Sequence, residues 1–101
     1  MEVYTVLISH TARHDLRDIH DRVAPESPQG DLHLIHSLIE AAGSLEHFPL
    51  RHPRVRRRFG GESVRSATVL NHRILYTVEG LRVNVIRFVH GSRRLPRRLG
   101  S

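Results

Sequence analysis

The pattern of apolar and polar positions predicts one strand, two helices and three further strands, in that order. Val3 to Ile8 is a short run of β-forming residues. In the segment after it, apolar residues recur every third or fourth position, the period of one helix face: Ala12, Leu16, Ile19 and Val23. Either hydroxyl of Ser9 or Thr11 can cap this first helix, and Pro25 interrupts it.

A second helix is predicted to begin near Ser27. Ser27 is a suitable cap, and Pro28 suits the first helical position because its missing N–H would have no helical partner there. The apolar residues of this helix form one broad stripe that ends before Pro49: Leu34, Ile35, Leu38, Ile39, Ala42 and Leu45. Two consecutive amphipathic helices predict a helical hairpin.

Three strands close the chain, from Ser63 to Val69, from His72 to Val78 and from Val83 to Val89. Leu70-Asn71 and Glu79-Gly80-Leu81 separate them, and Asn and Gly supply the backbone angles that tight turns need. The succession of elements predicts an α+β fold: an N-terminal strand, a helical hairpin, then a three-stranded antiparallel C-terminal sheet packed on the helices.

Side chains of the middle strand alternate between the two faces of this sheet. Ile74, Tyr76 and Val78 share the apolar face, which we expect to pack on the helices. The face that carries Arg73 and Leu75 is expected to stay open or to be covered by a partner.

Composition narrows the classes of function. The 101 residues are predicted to form one domain over residues 1–95, followed by a basic tail over 96–101 that we expect to be disordered. All sixteen basic residues are arginine, so lysine chemistry is excluded, and the absence of cysteine excludes thiolate nucleophiles and cysteine zinc sites. The chain has neither a secretory signal nor an apolar run approaching the roughly 20 residues of a membrane span. We therefore expect a cytoplasmic protein without a membrane partner.

The formal net charge of +6 indicates an anionic or acidic partner. Arg65, Arg73, Arg87 and Arg93 lie on or after the predicted strands and are interpreted as one functional basic surface. Arg65 and Arg73 can instead pair with nearby glutamates, and Arg87 either reaches the open face or is buried with an acid. A further set of arginines falls in the aperiodic loop from Pro49 to Glu62, where it suits either phosphate contacts or simple solvation: Arg51, Arg54, Arg56, Arg57 and Arg58.

Residues able to transfer protons are few. Acid–base catalysis needs side chains that gain and lose protons, and arginine supplies only positive charge. His90 is the candidate catalytic residue, while His72 is a second possibility and Tyr76 is better explained as a core residue because it lies in the apolar register. His90 can equally well be structural. The histidine pairs His10–His14 and His33–His36 have helical spacing but no third ligand close by, so we expect neither a metal nor a cofactor.

Several segments together resemble the ParE/RelE superfamily of bacterial type II toxins, and within it the ParE branch, from Tyr4 to about Leu95. The segments that carry the resemblance are Ser9 to Ile19 with its Asp15-Leu16 pair, Leu45 to Pro49, Val64-Arg65, Arg73 to Tyr76 and Val85 to His90. The chain departs from the family at His72, where an aromatic residue is usual. It also lacks the tail tyrosine and the lysines typical of the ribonuclease branch.

The resemblance implies a RelE/ParE-like fold and a toxin that inhibits DNA gyrase by stabilising cleaved DNA, without catalysis of its own. It also implies a cognate, ParD-like antitoxin that binds the helical hairpin and the sheet, with operator DNA bound only through that antitoxin. The antitoxin-binding candidates are Leu16, Ile19, Leu38 and Ile39. The alternative is a RelE-like ribosome-dependent mRNA endoribonuclease, with Arg65 and Arg93 stabilising charge and His90 as acid or base. An inactive scaffold that only binds antitoxin is the third hypothesis.

Overall fold

The computed structural model describes residues 2–55 and 63–91. Its elements follow the predicted order, and the α+β architecture is confirmed. They are β1 (Thr5–Ile8), α1 (His10–Val23), α2 (Pro28–Gly43), two short 3₁₀ helices (Ser44–Glu46 and Pro49–Arg51), β2 (Arg65–Val69), β3 (His72–Glu79) and β4 (Arg82–His90). The tail over 96–101, Arg93 and the arginines at 56–58 lie outside the described residues.

Both helices begin at the serines that the sequence indicates. The Ser9 hydroxyl accepts a hydrogen bond from the backbone N–H of Ala12 at 3.0 Å, so Ser9 rather than Thr11 caps α1. The same hydroxyl donates to the carbonyl oxygen of Ile86 at 3.2 Å, which joins the start of α1 to β4. Ser27 caps α2 by accepting from Gly30, with Pro28 in the first turn.

The four strands form one sheet in the order β1-β4-β3-β2. β2, β3 and β4 make the predicted antiparallel meander, and β1 adds to its edge parallel to β4. Parallel pairing with Arg82–Val85 places the end of β1, and hence the start of α1, beside the middle of β4. This arrangement brings α1 over β4.

The main core lies between one face of the sheet and the helical hairpin. Each of its residues is at most 8% exposed. The sheet contributes Ala67, Ile74, Tyr76, Val83, Val85 and Phe88, and the helices contribute Ala12, Ile19, Leu34, Leu38, Ala42 and, just beyond α2, Leu45. Burial of these side chains is the dominant stabilising term for a chain of this size.

The opposite face of the sheet is partly covered by the chain itself, which corrects the expectation that it is open or covered by a partner. Leu75 is fully buried there in a second cluster with Val64, against which Val55, Ile86 and Val89 pack. Residues 53–55 run alongside β2 and hold this cover in place. The N–H of Val55 donates to the carbonyl oxygen of Val64 at 2.7 Å, and the N–H of Ser66 donates to the carbonyl oxygen of Pro53 at 3.1 Å.

A register shift between β3 and β4 changes which face Arg87 occupies. Tyr76 pairs with Val85, but Leu75 pairs with Arg87, so one residue of β4 is left over between them, as in a β-bulge. Arg87 therefore does not share the face of Val83 and Val85, as strict alternation along β4 would require. Strict alternation cannot anticipate such an insertion, because a single extra residue reverses every later position.

Candidate functional site

Arg87 is bound by a carboxylate on α1. Its Nε lies 2.8 Å from Oδ2 of Asp15 and its Nη2 lies 3.0 Å from Oδ1, a bidentate pair. Oδ2 also accepts the backbone N–H of Phe88 at 3.0 Å. Because β1 ends at Ile8, beside Val85, β4 has no strand neighbour on its β1 side at Phe88, and Asp15 accepts this N–H in place of a strand carbonyl. Of the two interpretations of Arg87, the structure shows the pair with an acid.

The sequence pattern led to no prediction that Asp15 binds Arg87, although the position of Asp15 on the first helix indicates a partner of opposite charge. It lies three residues after Ala12 and four before Ile19, both buried, so its carboxylate sits beside the core-facing stripe. An acid at such a position requires a buried or half-buried cation, and Arg87 is that cation.

Arg65 and Tyr76 both hold the segment that links the helices to the sheet. Nη1 of Arg65 donates to the carbonyl oxygens of Leu50 at 3.1 Å and His52 at 2.7 Å. The Tyr76 hydroxyl, fully buried, donates to the carbonyl of Pro49 at 2.5 Å. Burial raises the pKa of Tyr76, and the charges of Arg65 and Arg51 oppose that rise only in part. Tyr76 is thus a protonated core residue, as its register indicates.

His52 lies edge-on to the ring of Tyr76, with ring centroids 6.2 Å apart. Burial, and secondarily the charge of Arg51, lower the pKa of His52 below 6.5. Its imidazole is therefore neutral at neutral pH.

His72 and His90 face each other across β3 and β4, with ring centroids 5.0 Å apart. His72 is 3% exposed, and its Nδ1 lies 2.9 Å from Oδ1 of Asn71. The ring that replaces the family's usual aromatic is thus itself buried. Arg73 lies opposite Val89 and Thr68 in the sheet and is half-buried. Glu79, a possible ion-pair partner for Arg73, lies at the other end of β3, about 20 Å away along the strand.

Of the four arginines predicted as one basic surface, Arg65 and Arg87 lie on different faces of the sheet, because Arg65 is opposite Tyr76 and Arg87 is opposite Leu75. Arg65 is committed to the carbonyls after α2 and Arg87 to Asp15, whereas the side chain of Arg73 makes no hydrogen bond or ion pair within the described ranges. Arg93 lies outside those ranges. His90 remains a candidate at the end of β4.

The antitoxin-binding candidates divide by burial. Ile19 and Leu38 are 3% and 0% exposed and belong to the core, while Leu16 is half-buried and Ile39 is 48% exposed.

The sequence reasoning missed Leu32, which is 70% exposed. Leu32, half-buried Ile35 and Ile39 follow one another at spacings of three and four, so they form an apolar stripe along the outside of α2. We call these three residues the α2 stripe.

An apolar groove lies beside the second 3₁₀ helix, Pro49–Arg51, which follows α2. Its volume is about 410 Å³, and it is lined by Glu2, Tyr4, Phe48, Pro49, Leu50 and Arg51. Phe48 adopts a left-handed backbone conformation with φ 47° and is 63% exposed. Across residues 2–55 and 63–91, no group of three or more His, Asp or Glu side chains could hold a metal ion, and no helix is long and apolar enough to cross a membrane.

Comparison with known proteins identifies the family. Residues 6–95 match the family described as the ParE toxin of the type II toxin–antitoxin system parDE. A solved structure of the chromosomal ParDE toxin–antitoxin system from P. aeruginosa has a TM-score of 0.73 at 18% identity, covering 87% of this chain and 96% of that one. The RelBE2 toxin–antitoxin complex from Mycobacterium tuberculosis has a TM-score of 0.66 at 30% identity, covering 89% of this chain and 93% of that one.

No curated protein matches the chain. The family match nevertheless spans nearly all of the sequence, and the similar structures share the fold described above. The chain therefore belongs to the ParE toxin family and is a type II toxin of the ParE/RelE superfamily.

Proposed function

We propose that this toxin inhibits DNA gyrase by stabilising a gyrase–cleaved-DNA state, acts in the cytoplasm and is neutralised by a cognate antitoxin. Membership of the ParE family supports this target, as do the absence of lysine and of any tyrosine after Tyr76 in the sequence. A gyrase inhibitor of this kind needs a binding surface and no proton-transfer groups.

The observation that carries the choice of gyrase over mRNA cleavage is the engagement of Arg65. Phosphorane stabilisation requires a cation whose N–H groups point at the reacting phosphate. The Arg65 guanidinium instead donates to the carbonyl oxygens of Leu50 and His52, where it fastens a loop. The Tyr76 hydroxyl is buried and donates to the carbonyl oxygen of Pro49. The proton-transfer candidates that remain are His90 and the buried His72 beside it.

The antitoxin is proposed to dock its amphipathic segment on the α2 stripe. Leu32 and Ile39 are large, exposed and apolar, and an amphipathic helix or strand can cover them. The net charge of +6 suits the acidic character that such segments often have.

Purified, antitoxin-free protein tests the target when it is added in parallel to a gyrase supercoiling assay and to a reconstituted translation reaction read by primer extension. We expect linear or nicked DNA to accumulate with gyrase and mRNA to stay intact. Ribosome-dependent mRNA cuts with normal supercoiling would replace this proposal by the ribonuclease. Inactivity in both reactions would indicate a scaffold that only binds antitoxin.

His90→Ala separates the two mechanisms within one protein. A gyrase inhibitor keeps most of its activity in this variant, whereas a ribonuclease that uses His90 as acid or base loses about 10²–10⁴-fold. His33→Ala, an exposed position on α2, is the matched control for loss of a histidine.

A further inference from the structure

The solvent face of α1 carries a cationic stripe that none of the interactions above uses. His10, Arg13, His14 and Arg17 are all exposed and stand at i, i+3, i+4 and i+7, so they lie on one side of the helix, away from the core-facing Ala12. The four side chains line a shallow cavity of about 190 Å³. The rings of His10 and His14 meet edge to face, 4.6 Å between centroids. We call these four residues the α1 stripe.

No acid within residues 2–55 and 63–91 neutralises the two arginines of the α1 stripe. Arg51, Arg65 and Arg87 each donate to carbonyl or carboxylate oxygens. Arg13 and Arg17, by contrast, form no ion pair or hydrogen bond with any side chain in the described ranges. Two guanidinium groups therefore face solvent across one concavity, ready to bind an external anion.

The character of the cavity favours phosphate over an acidic protein segment. Two guanidinium groups and two imidazoles line it, and nucleic-acid interfaces are much more positively charged than protein–protein interfaces. The stripe rises about 10 Å from His10 to Arg17, which equals about three nucleotide steps of a duplex. No Phe, Tyr or Trp lines the cavity, so base stacking has no platform.

We propose that the α1 stripe binds the phosphodiester backbone of nucleic acid without sequence preference. This contact is made by the toxin itself and is distinct from operator binding through an antitoxin. It goes beyond the proposed function, because it holds whether the target is gyrase on DNA or the ribosome, and its test contains neither.

Fluorescence anisotropy of a labelled DNA duplex of about 20 base pairs, titrated with the full-length toxin from roughly 50 to 200 mM salt, measures this binding. The variant Arg13→Gln/Arg17→Gln removes the two cations of the stripe. Arg22→Gln/Arg82→Gln is the matched control, because it removes the same charge from two exposed arginines that lie outside the stripe and also lack an ion pair in the described ranges. Circular dichroism melting verifies that all variants are folded.

We expect the stripe variant to bind the duplex about tenfold or more weakly at low salt. The slope of the logarithm of its association constant against the logarithm of salt concentration should fall in magnitude by about 2, because each lost phosphate contact removes near 0.9 from that slope. The control should lose much less. Equal losses in both variants would overturn the proposal in favour of diffuse charge, and so would failure of the unmodified toxin to bind the duplex at low salt. Displacement of the duplex by a polyglutamate peptide of equal charge would overturn it in favour of an acidic protein segment.

Discussion

Asp15 and Arg87 are 72 residues apart in sequence and form a bidentate ion pair that fastens α1 to β4 where β1 has ended. The Asp15 and Arg87 side chains are 11% and 23% exposed, so the pair is largely shielded from water. Since Asp15 also accepts the Phe88 N–H, one carboxylate satisfies both a side chain and a strand edge. The pair belongs to the architecture of the toxin, and its removal is a test of that role.

Asp15→Ala is expected to destabilise the protein by about 2–4 kcal/mol, because it leaves a partly buried guanidinium and the Phe88 N–H without partners. Urea unfolding measures the change. Asp18→Ala, an exposed acid on the same helix, should stay within about 0.5 kcal/mol. If Asp15→Ala and Arg87→Ala prove additive in the double variant, the pair is not coupled and this account fails.

Tyr76→Phe is expected to cost about 1–2 kcal/mol, since the Pro49 carbonyl loses its buried donor while the ring still fills the core. Thermal or urea unfolding measures the loss. Tyr4→Phe is the control, because the half-buried Tyr4 hydroxyl donates to nothing in residues 2–55 or 63–91. An equal effect of the two substitutions would contradict the role given to the Pro49 bond.

Stability at alkaline pH should also depend on Tyr76. Its pKa is raised in the folded state above the ordinary value of 10.0, so the folded protein holds this proton more tightly than the unfolded chain does. The resulting stabilisation is fully present below pH 10.0 and is lost as the pH rises through the folded pKa. Unfolding measured on both sides of that pH should show a steeper loss for the unmodified protein than for Tyr76→Phe, and parallel curves would exclude the effect.

Leu75→Ala tests whether the outer face of the sheet is a second core. Leu75 is fully buried there, so its truncation should cost about 2–4 kcal/mol through lost burial and the cavity left behind. Leu81→Ala, which removes an equal side chain that is 55% exposed, should cost less than about 1 kcal/mol. Urea unfolding of the two variants decides between a covered and an open face.

Antitoxin binding should depend on the α2 stripe. Leu32→Glu/Ile39→Glu places two charges on the proposed contact and is expected to weaken binding of the co-expressed cognate antitoxin by about 100-fold or more. Leu81→Glu, an exposed leucine in the turn between β3 and β4, should bind normally. Calorimetry measures affinity, and growth assays should show a variant that stays toxic but is no longer rescued by the antitoxin. Unchanged affinity would move the antitoxin site elsewhere.

The sequence by itself determined the elements of this protein, because their signals are local. The apolar period from Ala12 to Val23, the serine caps and the Asn and Gly turns all act within a few residues. The ParE resemblance was likewise carried by short segments in a fixed order, and the family match confirms it. Tyr76 was assigned to the core from its alternation with Ile74 and Val78.

Only the tertiary structure decided which elements meet and which arginines are committed. The register shift at Leu75 and Tyr76 reverses the face of Arg87, and its partner Asp15 lies at the far end of the sequence. Likewise, Leu75 is buried and Arg65 is bound only because residues 49–55 return over β2. An ion pair or a cover formed across such separations depends on how the whole chain closes, and no local period carries that information.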